Sequence, residues 1–267
     1  MMRVLFVSNE VAPYAKVGGL ADVAGSLPQA LARQGVDVRV VMPLHRSCPV
    51  IEHCDVVLPA LSVQTPHRTM VPSVLRRPLP GSDVPVYFIK YDQFFDRPDP
   101  YGEGATDYPD SPQRYALFAR AALALNQAIG FGAGVIHTND WPTGLLPAFE
   151  RLNPWGPPTV FTIHNLGYQG SFPLSVASDI DIDPASPAMP LVQWHDRINY
   201  LAAAIRSATV INTVSPRYAK EIQTPAFGHA LDGLLRDRSE HVHGILNGLD
   251  YDDWDPRDAD ALPAAFS

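Results

Sequence analysis

Arg3-Val4-Leu5-Phe6-Val7-Ser8, the stretch from Leu20 to Gln34, Gly35, and Val38-Arg39-Val40-Val41-Met42 together decide the fold class. The first run is short and apolar, as a strand buried on both faces must be. Apolar residues then recur at helical spacing up to Gln34, and Gly35 stands where a left-handed helix cap is wanted. Val38 to Met42 reads as a second buried strand, stopped by Pro43. Strand, helix and strand in that order form one βαβ unit, which closes right-handed over a parallel sheet.

The same alternation continues outward. Leu117 to Ile129 has helical periodicity, Gly134 to His137 reads as a strand, Trp141 to Leu152 as a helix and Pro158 to Ile163 as another buried strand. Ile198 to Arg206 is a helix leading into a strand from Thr209 to Val214; Pro216 opens a helix reaching Ile222, and Val242 to Leu246 is a last strand. Repeated units of this kind predict an α/β fold, a doubly wound and mostly parallel sheet with helices on both faces. Residues 55–91 break the pattern. Val56 to Val63, Met70 to Arg77 and Val84 to Lys90 read as an antiparallel meander around Pro80-Gly81, an insertion on the sheet's margin. The whole of 1–267 reads as a single domain.

Composition sets the outer bounds. A chain of 267 residues with 46% hydrophobic content can bury a large core, and its 27 prolines, about twice average usage, predict many loops of fixed shape. The net charge of −8 argues against a nucleic-acid partner, since phosphate backbones want a basic face. Cys48 and Cys54 form no Cys-x-x-Cys pair, and nothing points to a disulfide framework. The opening apolar run is too short for a signal peptide, and no stretch approaches the ~20 apolar residues of a membrane span, so no membrane partner is expected and the default compartment is the cytoplasm.

Ligands of open α/β sheets bind beyond the carboxyl ends of the strands. The residues just past each strand are therefore informative: Ser8-Asn9-Glu10 and then Lys16-Val17-Gly18-Gly19, His137-Thr138-Asn139-Asp140-Trp141, His164-Asn165, Thr213-Val214-Ser215, and Asn247-Gly248-Leu249-Asp250. Lysine is rare here (Lys16, Lys90 and Lys220 against seventeen arginines), so a lysine beside Gly18-Gly19 draws notice. Two glycines at a helix entrance let the backbone approach an anion, and a point charge suits a phosphate; a solvated loop lysine beside a turn is the other reading. Gly-x-Gly-x-x-Gly, the Walker loop and Gly-x-Ser-x-Gly are all absent. Asp140 and His164 could meet across a pocket as ligands for sugar hydroxyls, although a histidine just past an apolar strand also fits a structural role. Asn165, Tyr168 and Gln169 supply amide and aromatic faces, and Trp141 and Tyr101 are candidate stacking platforms as well as candidate core residues. Asp179, Asp181 and Asp183 alternate with isoleucines and read as a solvated acidic loop; His241 and His243 lack a third partner. No metal is expected.

Taken together, these motifs resemble a known family. Val11-Ala12-Pro13-Tyr14-Ala15-Lys16-Val17-Gly18-Gly19-Leu20-Ala21-Asp22-Val23, His137-Thr138-Asn139-Asp140-Trp141 and Phe161-Thr162-Ile163-His164-Asn165-Leu166-Gly167-Tyr168-Gln169-Gly170 resemble three signatures of bacterial glycogen synthases and plant starch synthases. Thr213 to Ile222, Gly233-Leu234-Leu235 and Asn247-Gly248-Leu249-Asp250 with Trp254 resemble further ones, in the family's order. The resemblance implies a GT-B architecture of two Rossmann-like domains, of which this chain would be the first, and transfer of glucose from ADP-glucose to the 4-hydroxyl at the non-reducing end of an α-1,4-glucan, with retention and with no cofactor or required metal. It implies that Lys16, Gly18 and Gly19 face the donor diphosphate, with Asn247 near the donor. Asp140 and His164 would contact the transferred glucose, and Tyr101, Trp141 and Asn165 would line the acceptor side. Ser111-Pro112 stands where the family has an Asp-Asn pair, and Ala202 where many members have lysine. The chain ends where the resemblance expects a second, donor-gripping domain to begin. That domain would pack on the cleft face, and the chain is expected to be inactive alone. A stand-alone glucan-binding protein is the alternative.

Overall fold

A computed structural model describes residues 1–49, 53–104 and 106–249. Asp250, Trp254 and the closing segment fall outside them. The main sheet has nine strands: β1 (Arg3–Val7), β2 (Asp37–Pro43), β3 (Asp55–Leu58), β4 (Ser73–Pro78), β5 (Pro85–Lys90), β6 (Val135–Asn139), β7 (Thr159–Ile163), β8 (Val210–Thr213) and β9 (Val242–Gly244). Their spatial order is β9-β8-β7-β6-β1-β2-β5-β4-β3. All neighbours from β9 to β5 run parallel; β4 and β3 extend the margin antiparallel. The main helices are α1 (Gly19–Arg33), α2 (Ser111–Ala128), α3 (Leu145–Arg151), α4 (Tyr200–Ser207), α5 (Pro216–Glu221) and α6 (Asp232–Asp237).

Each central strand is apolar on both sides because each side meets a different layer. In β1, Val4 and Phe6 belong to a cluster that includes Ala24 of α1, whereas Leu5 and Val7 belong to one that includes Tyr115 and Phe118 of α2 and Leu145 of α3. Burial of this kind stabilises by about 25 cal/mol per Å² of apolar surface. Helix α1 stops as its sequence dictates. Gly35 has φ +82, its N–H donates to Ala32 O at 2.9 Å, and the Val36 N–H reaches Leu31 O at 3.2 Å. Ser215 caps α5 by accepting from the Tyr218 N–H at 2.9 Å, with Pro216 in the first turn.

The predicted mostly parallel sheet with helices on both faces holds, with corrections at its edges. The stretch predicted as the last strand of a marginal meander is β5, which pairs parallel with β2 and belongs to the sheet proper. Only β3 and β4 are marginal. Val56 to Val63 is not one strand: the ladder shifts register between Val56 and Leu58, and Pro59 cannot donate to it. Val63–Gln64 instead forms a small hairpin with Thr69–Met70, and Pro72 separates that hairpin from β4. Helix α2 begins six residues before Leu117, at Ser111, with Pro112 in its first turn. The Asp179–Asp183 run is a solvated loop only in part: Asp179 and Asp183 are exposed, but Asp181 is not. Asp181 is 5% exposed and accepts from Arg68 Nε at 2.9 Å, while His67 pairs with Asp183 at 3.0 Å; these pairs tie the run to the small hairpin. Among the described residues no helix is long and apolar enough to cross a membrane.

Candidate functional site

The carboxyl ends of β1, β6 and β7 meet at one rim, and three turns built by their own side chains stand there. After β1 comes Glu10, 3% exposed. A carboxylate so placed must be satisfied by donors. Its Oε2 accepts from the N–H groups of Val17 at 2.6 Å and Gly18 at 2.9 Å, and its Oε1 accepts from the Tyr101 hydroxyl at 2.5 Å. Glu10 thus folds the glycine loop against the rim and ties it to Tyr101, whose own hydroxyl is held firmly protonated by burial and by the Glu10 charge. The segment before Tyr101 is anchored from α2: buried Arg114 donates from Nε to Phe94 O at 2.7 Å and from Nη2 to Pro100 O at 2.9 Å.

After β6 comes Asp140. Its backbone has φ 53 and ψ 178, a combination that costs a residue with a side chain of order 1–3 kcal/mol. The strain aims the carboxylate at the neighbouring turn, where Oδ1 accepts from the backbone N–H of His164 at 2.8 Å and of Asn165 at 3.4 Å. Burial pushes its pKa up from 3.8 to about 7, against those two bonds and with help from the Glu10 charge. His164, after β7, sits with Nε2 3.0 Å from Asn139 Oδ1, and the Asn139 amide donates to Val7 O at 3.1 Å, so the ring is pinned to β1 through β6. Burial lowers its pKa to about 4, and it is neutral at pH 7.

The structure therefore brings Asp140, His164 and Asn165 into direct contact, with Tyr101 and the glycine loop joined through Glu10. Lys16 is at the same loop, but its Nζ is exposed and pairs with Asp22 at 2.6 Å. Gly18 is the N-terminal cap of α1, and side-chain positions built on Gly18 and Gly19 meet nothing within 4 Å, so the helix entrance is open to an approaching ligand. Asn247 is exposed three residues beyond β9, with no hydrogen bond to the Asp140 cluster among the described residues. Trp141 is 7% exposed and ringed by Tyr115 (4.7 Å between centroids), Phe172 (6.0 Å), Tyr101 (6.3 Å) and Tyr200 (6.4 Å). It is a wall that packs behind the rim and offers no open ring face. Ala202 is wholly buried in α4, and Ser111 and Pro112 are buried where α2 begins.

Sequence reasoning passed over two residues that organise the site. Glu10 was visible only as an acid directly following a buried strand, at the rim where ligands bind. Asn139 is buried at 1% exposure and gave no separate signal. The assembled rim has Lys16 and the open entrance of α1 at one end and fixed acceptors and amides at the other.

A family model described as starch synthase catalytic domain matches residues 3–237. The glycogen synthase of Syntrophotalea carbinolica is 44% identical over 279 residues, covering 100% of this chain and 56% of the relative. That of Anaeromyxobacter sp. strain Fw109-5 is 43% identical over 276 residues, with the same coverages. Among solved structures, the catalytic domain of starch synthase IV from Arabidopsis thaliana, bound to ADP and acarbose, superposes with a TM-score of 0.86 at 29% identity over 99% of this chain and 55% of that one. The chain spans about half the length of the relatives it matches, and it belongs to the starch synthase catalytic-domain family.

Proposed function

We propose that this chain is the glucan-facing half of a retaining glucosyltransferase that moves glucose from ADP-glucose to the non-reducing-end 4-hydroxyl of an α-1,4-glucan in the cytoplasm. The observation that carries the reading is the strained Asp140, whose carboxylate fixes the backbone of His164 and Asn165 beside the open entrance of α1. Strain and a desolvated carboxylate are costly, and such features gather where a ligand is to be held.

In this reading the α1 entrance, Gly18, Gly19 and Lys16 serve the donor diphosphate, with Lys16 exchanging Asp22 for the phosphate; Asn247 lies to the donor side. Asp140 and neutral His164 hold the transferred glucose, the carboxylate stabilising positive charge as it develops on the sugar. Tyr101 and Asn165 line the acceptor side, and Trp141 shapes it from behind. The groups that would complete the clamp on the diphosphate belong to a second half packed on this rim, as the length of the relatives suggests. No cofactor is required beyond the nucleotide sugar, and no metal ion.

The test is transfer of labelled glucose from ADP-glucose to glycogen by this chain alone and by the chain completed with the second half of a relative. The completed protein is expected to transfer and the chain alone not to; Asp140→Asn and His164→Ala in the completed protein should each lower kcat by about 100-fold or more, the scale of a lost electrostatic contact in a transition state. Full activity in both variants would overturn the site assignment, and robust transfer by the chain alone would overturn the need for a second half.

A further inference from the structure

The opposite rim, at the amino ends of the strands, carries an aromatic ring that folding leaves unused. Trp155 is 94% exposed, in the turn Asn153-Pro154-Trp155-Gly156 between α3 and β7. The turn itself is fixed. The Asn153 N–H donates to Glu150 O at 2.9 Å and its amide donates to Glu150 Oε1 at 3.0 Å. Asn153 Oδ1 then accepts from the Trp155 N–H at 3.2 Å, and Asn153 O from the Gly156 N–H at 3.0 Å. A side chain at Gly156 would begin 1.7 Å from Glu150 Oε1, so the Glu150 carboxyl that Asn153 holds would have to move to admit one. The indole is presented on a preformed support, which lowers the ordering cost of using it.

Beside this turn lies a groove of about 310 Å³ that includes Arg151, Asn153, Gly156, Thr159, Ser207 and Thr209 in its lining. Thr159 and Thr209 close one side by exchanging bonds, each backbone N–H donating to the other's Oγ1 at 3.0 and 3.2 Å. Ser207 is 4% exposed, and its hydroxyl has no partner among the described residues, a state that is costly to keep without use. Arg151 is exposed and makes no ion pair among the described residues.

We infer that Trp155 and this groove form a second carbohydrate site, distinct from the rim that bears Asp140, for glucose units of a polymeric α-glucan. A pyranose has an apolar C–H face that stacks on an indole and a ring of hydroxyls that needs short polar partners; the turn supplies the first and the groove the second. A phosphate would leave the indole without a role, and a protein partner would call for a contiguous apolar patch, whereas the turn and the groove beside it are built mostly of arginine, asparagine, proline, serine and threonine, with Leu152 the one other exposed large apolar side chain in the turn's vicinity along the chain. The inference rests on the proposed reading that glucan is the acceptor. The two sites sit at opposite ends of β7, five residues or about 16 Å apart along the strand. A branched polymer held at one end raises its own concentration at the other, and a short oligosaccharide gains nothing.

Electrophoresis of the chain through gels containing glycogen tests the inference, with the parent, Trp155→Ala, Ser207→Ala and the opposite-rim variant Asn165→Ala compared. Trp155→Ala should raise the apparent Kd for glycogen about tenfold, the effect of truncating one aromatic anchor. Its unfolding midpoint should match the parent, since the ring is 94% exposed. Ser207→Ala should weaken retardation without loss of stability, a pattern that a purely structural hydroxyl would not give. Asn165→Ala should keep part of the retardation. Equal retardation of Trp155→Ala and parent, loss of all retardation in Asn165→Ala alone, or no retardation of the parent would each overturn the second site, while the transfer assay above judges the enzymatic reading separately. Self-association of the parent that Trp155→Ala abolishes, with glucan binding unchanged, would make the ring a protein contact and overturn it as well.

Discussion

The two ends of the sheet are built from the same strands and treat their polar groups in opposite ways. At the amino end, turns satisfy themselves: Thr159 and Thr209 exchange bonds, Arg3 donates to Phe131 O at 2.7 Å, and Asn153 closes its own turn. At the carboxyl end, Glu10 is buried, Asp140 is held in a conformation suited to glycine, and His45, His137 and His164 are kept neutral by burial. The difference teaches that the backbone strain at Asp140 is not a by-product of the fold, because the turns around Asn153, Thr159 and Thr209 close at the amino end without a non-glycine residue at positive φ, although Glu150 is buried there too.

The contrast can be broken most forcefully at glycines with positive φ. Gly170, in the turn after β7, has φ +58, and a side chain there would begin 2.3 Å from the Trp141 ring. Gly81, in the turn before β5, has φ +68 and open space around it. Gly170→Ala should therefore cost about 3 kcal/mol or more, overpacking added to backbone strain, and Gly81→Ala about 1 kcal/mol, strain alone. Denaturant midpoints measure both. Equal losses would mean that Trp141 yields easily and that the wall behind the site is soft.

Protonation sharpens the comparison on a second axis. His45 and His164 are lowered from 6.5 to about 4 and His137 to about 3, all by burial, with the backbone bond to Asn9 opposing the shift at His45. Each histidine takes up a proton on unfolding below 6.5, so its contribution is complete above 6.5 and lost as pH falls toward its folded value. Asp140, raised from 3.8 to about 7, runs the other way: its contribution is complete below 3.8 and lost as pH rises through about 7. Between pH 4 and 6.5 three histidines outweigh one carboxyl, and stability should fall on acidification through that window. Asp140→Asn removes the opposing group and should steepen the fall. A flat profile in the parent would show that these groups are hydrated and that the carboxyl end is less dry than its geometry.

Much of this was legible in the sequence. Two-faced apolar strands such as β1 and β2 announce a parallel sheet, and Gly35, Ser215 and Pro216 punctuate helices by local chemistry that needs no tertiary context. The turns past the strands were also readable as a site, because Asp140, His164 and Asn165 each come directly after a strand end. The illegible part depends on contacts between segments far apart in the chain. Val84 to Lys90 reads as a strand in isolation, yet its parallel partner lies in β2 rather than in the adjacent meander. Trp141 reads equally as platform or core until Tyr115, Phe172 and Tyr200 are seen around it. Glu10 gains its meaning from the glycine loop it folds and from Tyr101, ninety-one residues on.

The finest distinction concerns a single backbone. At an ordinary position glycine is less stable than alanine by roughly 0.5–1 kcal/mol, because it loses more chain entropy on folding. At Asp140 both replacements lose the carboxylate that holds His164 and Asn165, so that loss cancels in the comparison between them. What remains is the conformation, φ 53 and ψ 178, which glycine adopts without penalty and alanine does not. Asp140→Gly should therefore be more stable than Asp140→Ala by about 1 kcal/mol, the reverse of the usual order, as read from paired denaturant melts. The ordinary order would mean that the backbone relaxes once the carboxylate is gone. The strain would then belong to the hydrogen bonds of Asp140 rather than to the turn, and the case for a rim preorganised by its backbone would fail at its central residue.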